Sequence, residues 1–578
     1  MVAKIKKLKI KLTPEQKKEA LAIIKKKKIE DNYFANVKSI FINAGFKAVK
    51  TLGKNFTFQG RTAEIDSLYV FENIIVVCED TYAKSSPHHH LQKKKIIFDL
   101  IFDYSEEFVK FLIDTFPDFK ALNDTKAIYQ PHHYEIRIAY FSRYAISEET
   151  LNQCLNVNYF DYPRFRYFSS LGKITGKTSR FELFKFFKLE FSKIGEIRVK
   201  GTSPGSTPYD GFLLPEAHSN YPSGYKVLSF YVDAETLLQK SYVLRKDSWQ
   251  DPDSTYQRML ERKKIREMRK YLNDDKRVYV NNLIVTLHST TTFTDVETKK
   301  QVDVEKLKEI KHVKINLPDE FNSIGLIDGQ HRVYSYHEGT DTYEDTIKTL
   351  RKRQNLLATA IMYPDGTSEY DKAKFEAGLF LEINDKQTKA KGELKQGIEL
   401  LVRPFSTAAI SKAVVTKLAK HGPLSGELME HYFDEEYKIK TSSIVSYGLA
   451  PLVSLGGKES LINVWDHPEK EKVITFTDKN LLNEYIKFCV EEINNLLIAV
   501  KLNLEKDQWS RESETSLLST TSVNGFLVCL RELVRTDSLQ DIEAYKAKLK
   551  DVGSFKFEVY KSSHWKALGL KLYSDYLK

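Results

Sequence analysis

Residues 324–332 read Ile-Gly-Leu-Ile-Asp-Gly-Gln-His-Arg, a short apolar run that breaks at Asp328-Gly329 and then presents Gln330, His331 and Arg332 in a row. An apolar strand stopped by an Asp-Gly turn delivers polar groups to the rim of a buried sheet, so the chain must build a sheet with covered faces here. Gly329 lets the backbone approach a ligand closely. Arg332 has the planar fork that grips a phosphate, and Asp328 or His331 has the chemistry to hold a metal or move a proton. The alternative is an ordinary strand end, in which Asp328 caps the next helix and Arg332 pairs with a carboxylate.

The pentapeptide Asp328-Gly-Gln-His-Arg332 resembles the signature of the DGQHR-domain proteins, which include the DndB proteins of bacterial DNA phosphorothioation loci. The resemblance covers roughly residues 195–400. It takes in Lys226-Val-Leu-Ser-Phe-Tyr-Val-Asp233, Tyr242-Val-Leu-Arg245, Tyr256-Gln257-Arg258 ahead of a basic helix, Asn281-Asn282-Leu-Ile-Val-Thr286, and Leu379-Phe-Leu-Glu-Ile-Asn384-Asp-Lys-Gln387. That family is similar to the ParB and sulfiredoxin superfamily, whose equivalent turn binds nucleotide phosphates. The resemblance implies a site for ATP or another NTP lined by Asp328, Gly329, Gln330, His331 and Arg332, with Arg245, Asn384 and Gln387 contributing. It implies a role in prokaryotic DNA modification or anti-phage defence, with DNA and nucleotide as partners; homo-oligomers and partner proteins are left open.

A chain of 578 residues exceeds what one hydrophobic core usually serves, and its 42% hydrophobic content suffices for two to four domains. The net charge of +11 favours a polyanionic partner, although 89 basic against 78 acidic residues also describes an ordinary solvated surface. Four separated cysteines, Cys78, Cys154, Cys489 and Cys529, form no Cys-x-x-Cys pair, which argues against a zinc ribbon or a disulfide framework. No stretch approaches the roughly 20 apolar residues of a membrane span, so a cytoplasmic location is expected.

Nearer the start, Thr13-Pro14 marks a helix start, and Tyr33, Phe34, Val37, Ile40 and Phe41 keep helical spacing up to Gly45. Two strand-like segments follow. One spans 63–70 and carries Glu64-Ile65-Asp66; the other, Ile74 to Thr81, carries Glu79. This layout resembles the restriction-endonuclease-like nucleases, and Asp66 and Glu79 on adjacent strands would together hold Mg²⁺ at a scissile phosphate. The lysine that such nucleases place two residues past the second acid is here Thr81, and the next lysine is Lys84. The alternative is that the acids pair with Arg61 or a lysine of the basic start. The histidines at 88–90 and 132–133 lack metal-ligand spacing and read as exposed loop positions.

A Gly/Pro/Ser-rich linker is expected at 200–211, and Arg258, Arg262, Arg266, Arg269 and Lys270 share one face of a predicted basic helix that suits DNA phosphates. From residue 400 onward the periodicity is helical. The expected architecture is a multidomain α/β chain: a restriction-endonuclease-like α/β domain over 1–190, a ParB-like α+β DGQHR domain over 195–400, and a helical region over 401–578. Three activities are compatible with it: a DNA-defence protein that binds or hydrolyses an NTP; a Mg²⁺-dependent endonuclease; and a non-enzymatic DNA-binding regulator.

Overall fold

The amphipathic stretch at the start becomes α1 (Pro14–Asn43). It ends as expected at Gly45, whose φ of +91° suits a residue without Cβ. The computed structural model describes residues 14–51, 55–83, 87–201, 208–245, 249–250, 255–385, 392–430, 434, 437–511 and 516–578. The expected linker therefore falls largely outside the described residues, as do Lys84 and Gln387. The fold is mixed α/β and divides into two compact units, one formed by 1–242 with 260–364 and the other by 243–259 with 365–578. The boundaries expected near 190 and 400 fall inside these units.

Within the first unit, β1 (Lys47–Val49) is followed by a separate hairpin, β2 (Phe56–Phe58) and β3 (Arg61–Ala63). Then come β4 (Ser67–Phe71) and β5 (Ile74–Thr81). Helices α2 (Pro87–Asp103), α3 (Ser105–Thr115) and α4 (Pro117–Lys126) lead to β6 (Glu135–Ser142) and β7 (Val157–Phe160). The sheet order follows the chain, β1-β4-β5-β6-β7. The first two pairings are antiparallel and the last two parallel. The parallel β5–β6 pair needs a long crossover, which the three helices supply. Strand β5 opens on five consecutive apolar residues, Ile74 to Cys78, because both of its faces are covered; Ile75 and Val77 pack with Leu91 and Phe98 of α2.

After β7, α5 (Tyr162–Thr175) and α6 (Arg180–Phe186) lead to the second sheet of this unit. Its strands are β8 (Tyr209–Leu214), β9 (Lys226–Asp233), β10 (Ser241–Tyr242), β11 (Leu283–Leu287), β12 (Thr292–Asp295), β13 (Lys311–Asn316), β14 (Ile324–Asp328) and β15 (Asn355–Met362). They are ordered β10-β14-β11-β15-β9-β8-β13-β12. The helices that accompany them include α7 (Arg262–Asp275), α8 (Gln330–Tyr334) and α9 (Glu344–Arg353). The two sheets meet at a bonded seam. Lys177 N–H donates to Glu338 O (3.0 Å), Glu338 N–H donates to Thr178 Oγ1 (2.9 Å), and Arg180 ion-pairs with the Glu338 carboxylate. Asn73, fully buried in the β4–β5 turn, donates to His133 O (2.6 Å) and Lys193 O (2.9 Å) and accepts from Gly195 N–H (2.7 Å).

Beyond residue 365 the described residues of the second unit are mainly helical, as the periodicity predicts from residue 400 onward. Its core includes Leu482, Ile493 and Leu497 of α10 (Lys479–Leu502) and Val523, Leu527 and Leu530 of α11 (Thr520–Arg535). Helix α12 (Trp565–Leu572) crosses α11 closely at Gly525 and Gly569: a Cβ on Gly569 would sit 2.4 Å from Gly525 O. Trp565 stacks on Tyr447 with ring centroids 5.8 Å apart. No helix among the described residues is long and apolar enough to cross a membrane, and all four cysteines are free and buried.

Candidate functional site

The acids singled out from the sequence are brought together. Asp66 lies one step beyond the Ser67–Cys78 pair of the β4–β5 ladder, opposite Glu79. Asp66 N–H donates to Glu79 Oε1 (3.4 Å), and Asp66 Oδ2 accepts from Asp80 N–H (3.0 Å). Asp66 is exposed whereas Glu79 is fully buried. A cation answers them from α2: Lys94 Nζ sits 2.8 Å from Glu79 Oε2 and donates to Glu64 O at 2.7 Å. Among the described residues Lys94, not Arg61, fills this place, and most of the basic start lies outside them. The signal for Lys94 was available, since on α2 it lies three residues after Leu91 and four before Phe98, a lone lysine in the buried stripe.

Burial pushes the Glu79 carboxyl up to about 9, and the Asp66 charge pushes the same way while Lys94 pulls it back. Burial and then Asp66 raise Asp80 to about 7. His90 was expected to be an exposed loop histidine. It stands instead in the first turn of α2, half-buried, with Nδ1 2.7 Å from the Tyr140 hydroxyl. Its pKa is lowered, first by burial and then by Lys94, so the imidazole is neutral near pH 7. Tyr140 pairs with Glu79 across the parallel β5–β6 ladder, which brings acid, phenol and imidazole together on interior strands of the sheet. Among the described residues no three His, Cys, Asp or Glu side chains are grouped to hold a metal ion. An exposed Asp66 carboxylate beside the buried Glu79 carboxyl offers the oxygen donors that a hard divalent cation takes while keeping several waters.

The second predicted site has a different character. Strand β14 does end at an Asp-Gly turn, and Gly329 has φ +101°. A Cβ there would meet Leu283 Cδ2 at 2.3 Å and Arg332 Nη2 at 2.9 Å, so the close approach that glycine permits is to the protein's own side chains. Arg332 Nη2 donates to Asp328 Oδ2 (2.8 Å) and Asn282 O (3.0 Å). Gln330 and His331 are buried, and His331 Nε2 accepts from Glu261 N–H (3.2 Å), at the N-cap of α7. Of the tetrad, the Asp328 side chain is the most open, at 41% against 16% for Arg332.

Arg245 is fully buried and, like Asn384, belongs to the second unit. The Asn384 amide donates to Phe380 O within its own helix (2.9 Å). The basic helix begins at Arg262, four residues after Arg258, and its stripe is not uniform. Arg262 and Arg266 are exposed, and Lys270 pairs with Asp274. Arg269 corrects the expectation of a DNA-facing row. It is 1% exposed and bound to Asp341 Oδ2 (2.8 Å), Glu344 Oε2 (3.0 Å) and His337 O (2.7 Å), a structural guanidinium with nothing left to offer a phosphate.

Comparisons of the chain with family models, with curated proteins and with solved structures found no match.

Proposed function

We propose that the protein acts on DNA through the end of the β4–β5 pair that carries Asp66 and Glu79 as a Mg²⁺-dependent phosphodiester hydrolase, in the setting of prokaryotic DNA modification or anti-phage defence. The observation that carries this reading is the trio of Asp66, Glu79 and Lys94. A buried carboxyl pushed up to about 9, an adjoining acid from the neighbouring strand and a lysine 2.8 Å away make the kind of perturbed cluster that functional sites concentrate. The sheet order β1-β4-β5-β6-β7, with an antiparallel start, a parallel end and a helical crossover after the second acid, supports the restriction-endonuclease-like reading.

Asp66 and Glu79 would hold the cation, which when bound supplies charge neutralisation at phosphate and an acidified water. Lys94 orients the Glu79 carboxylate and holds positive charge where negative charge grows on the phosphorane oxygens. The Tyr140 hydroxyl fixes the ring of His90, which stays neutral beside the cluster. Purified protein with duplex DNA and Mg²⁺ tests the reading: cleavage is expected, and Asp66→Ala reduces it by about two to three orders of magnitude. An intact substrate with the wild-type protein, on modified and unmodified DNA alike, refutes it.

A second reading is favoured by the open Asp328 carboxylate beside Arg332, which gives the turn one face toward solvent. Nucleotide binding there predicts NTP-dependent phosphate release that is lost in Arg332→Ala.

A further inference from the structure

Helix α2 lays His90 as well as Lys94 against the strands of the acid cluster. The two are four residues apart, so they share a helix face and lie about 6 Å from each other along its axis. Their partners are matched in the same way. Lys94 meets Glu79 of β5, His90 meets Tyr140 of β6, and Glu79 and Tyr140 stand opposite each other in the parallel ladder. A cation and an imidazole are thus seated side by side on one helix, each held by one of two neighbouring strands. The strand itself has Thr81 where a nuclease of the expected kind carries its lysine, so the polar groups beside the acids come from α2 instead.

The bond to Tyr140 decides which nitrogen of His90 carries the proton. Tyr140 is fully buried, and among the described residues its hydroxyl has one hydrogen-bond partner, His90 Nδ1 at 2.7 Å. Were the phenol to accept from Nδ1–H, its own proton would be buried without an acceptor. The phenol therefore donates to Nδ1, and the neutral ring bears its proton on Nε2. Burial and then the charge of Lys94 lower the His90 pKa, which keeps the ring neutral. Nε2 has no protein partner among the described residues, and in this half-buried side chain it is not sealed from solvent. His90 thus offers a free N–H beside the acids. The turn that carries it opens α2, where the positive end of the helix dipole adds to the pull on an anion.

We infer that His90 donates its Nε2–H to a non-bridging oxygen of a DNA phosphate at the Asp66–Glu79 site, and that Tyr140 is the positioning residue that keeps the proton on that nitrogen. No proton leaves the imidazole. The hydrogen bond tightens as negative charge grows on the oxygen, which is how an oriented donor lowers the barrier. The same geometry argues against a general base, because the lone pair that a base needs is on Nδ1 and is engaged by the phenol. The identity of the anion rests on the hydrolase reading; the tautomer does not.

The test uses the full chain labelled with ¹⁵N in histidine. At pH 7 without DNA, the signals that vanish in His90→Gln should be those of a bare Nδ1 and a protonated Nε2, and Tyr140→Phe should mix the two tautomers. A proton on Nδ1, or a cationic ring, overturns the assignment. A short duplex added with Ca²⁺ should shift the Nε2–H signal, and a signal that stays put overturns the phosphate contact. With Mg²⁺ and duplex, His90→Ala should lower kcat about 100-fold and leave KM within about twofold. His90→Gln, whose amide N–H reaches near the Nε2 position, should recover to within about tenfold of wild type. A Gln variant as slow as the Ala variant overturns the donor role, since a lost base would not be rescued by an amide. A shifted Nε2–H signal in a protein that cleaves nothing with Mg²⁺ sinks the hydrolase reading and leaves the donor standing; cleavage at the wild-type rate in His90→Ala does the reverse.

Discussion

Replacing Glu79 by Gln should make the protein more stable above pH 5. Glu79 is fully buried, and its carboxyl is pushed from an ordinary 4.5 up to about 9. A group whose pKa is higher folded than unfolded stabilises fully below its unfolded value and loses that contribution as pH rises through the folded one. For Glu79 the window runs from 4.5 to about 9. Within it the folded state holds one proton more than the unfolded state, so wild type loses about 1.4 kcal/mol per pH unit from this group. Asp80, raised to about 7, adds a slope of the same sign at the acid end. The Gln variant keeps the Asp80 slope and drops the other, so the two proteins should be close near pH 5 and separate by about 3 kcal/mol at pH 7. Freed Lys94, whose side chain is 18% exposed, can turn to water. Chemical denaturation across a pH series measures this directly. Curves for wild type and Glu79→Gln that run parallel from pH 5 to 9 would refute the account of a proton held by burial. Excess Mg²⁺ should flatten the wild-type dependence and leave that of the variant unchanged.

Arg269→Met leaves Asp341 and Glu344 without their buried counter-charge and should cost about 3–5 kcal/mol in denaturant titration, while the folded fraction binds duplex DNA as wild type does. Gly329→Ala forces a side chain into φ +101° and against Leu283, and should cost roughly 2–4 kcal/mol in the same titration. Gly569→Ala drives a methyl group into Gly525 O where α12 crosses α11, and should lower the melting transition of the helical unit by about 1–3 kcal/mol in stability; an unshifted transition would show that the crossing can open.

The parts of the fold legible in the sequence are those in which a local cause acts alone. Ile74 to Thr81 reads as a strand because its five consecutive apolar residues, Ile74 to Cys78, leave no helical stripe, and Gly45 reads as a helix end because left-handed backbone favours glycine. Asp66 and Glu79 were legible as a pair because a short turn puts consecutive strands side by side. Arg269 was not: on the helix it sits among other cations, and the carboxylates that bury it, Asp341 and Glu344, arrive some seventy residues later. Lys94 escaped because the expected lysine was sought along β5, whereas the cation comes from the next helix. Gln330 and His331 look like site residues in a string, but burial depends on what covers the turn, and part of that cover is the α7 start at Glu261.

Asn73 gives one further consequence. Its single amide holds the 193–195 backbone down beside the first sheet, while the Glu338 knot clamps the far side of the same region. A fragment ended near residue 190, where composition invites a cut, would therefore leave severed acceptors on one side and a stranded amide on the other. Anyone dissecting the molecule should place the scissors elsewhere and express the two sheets together.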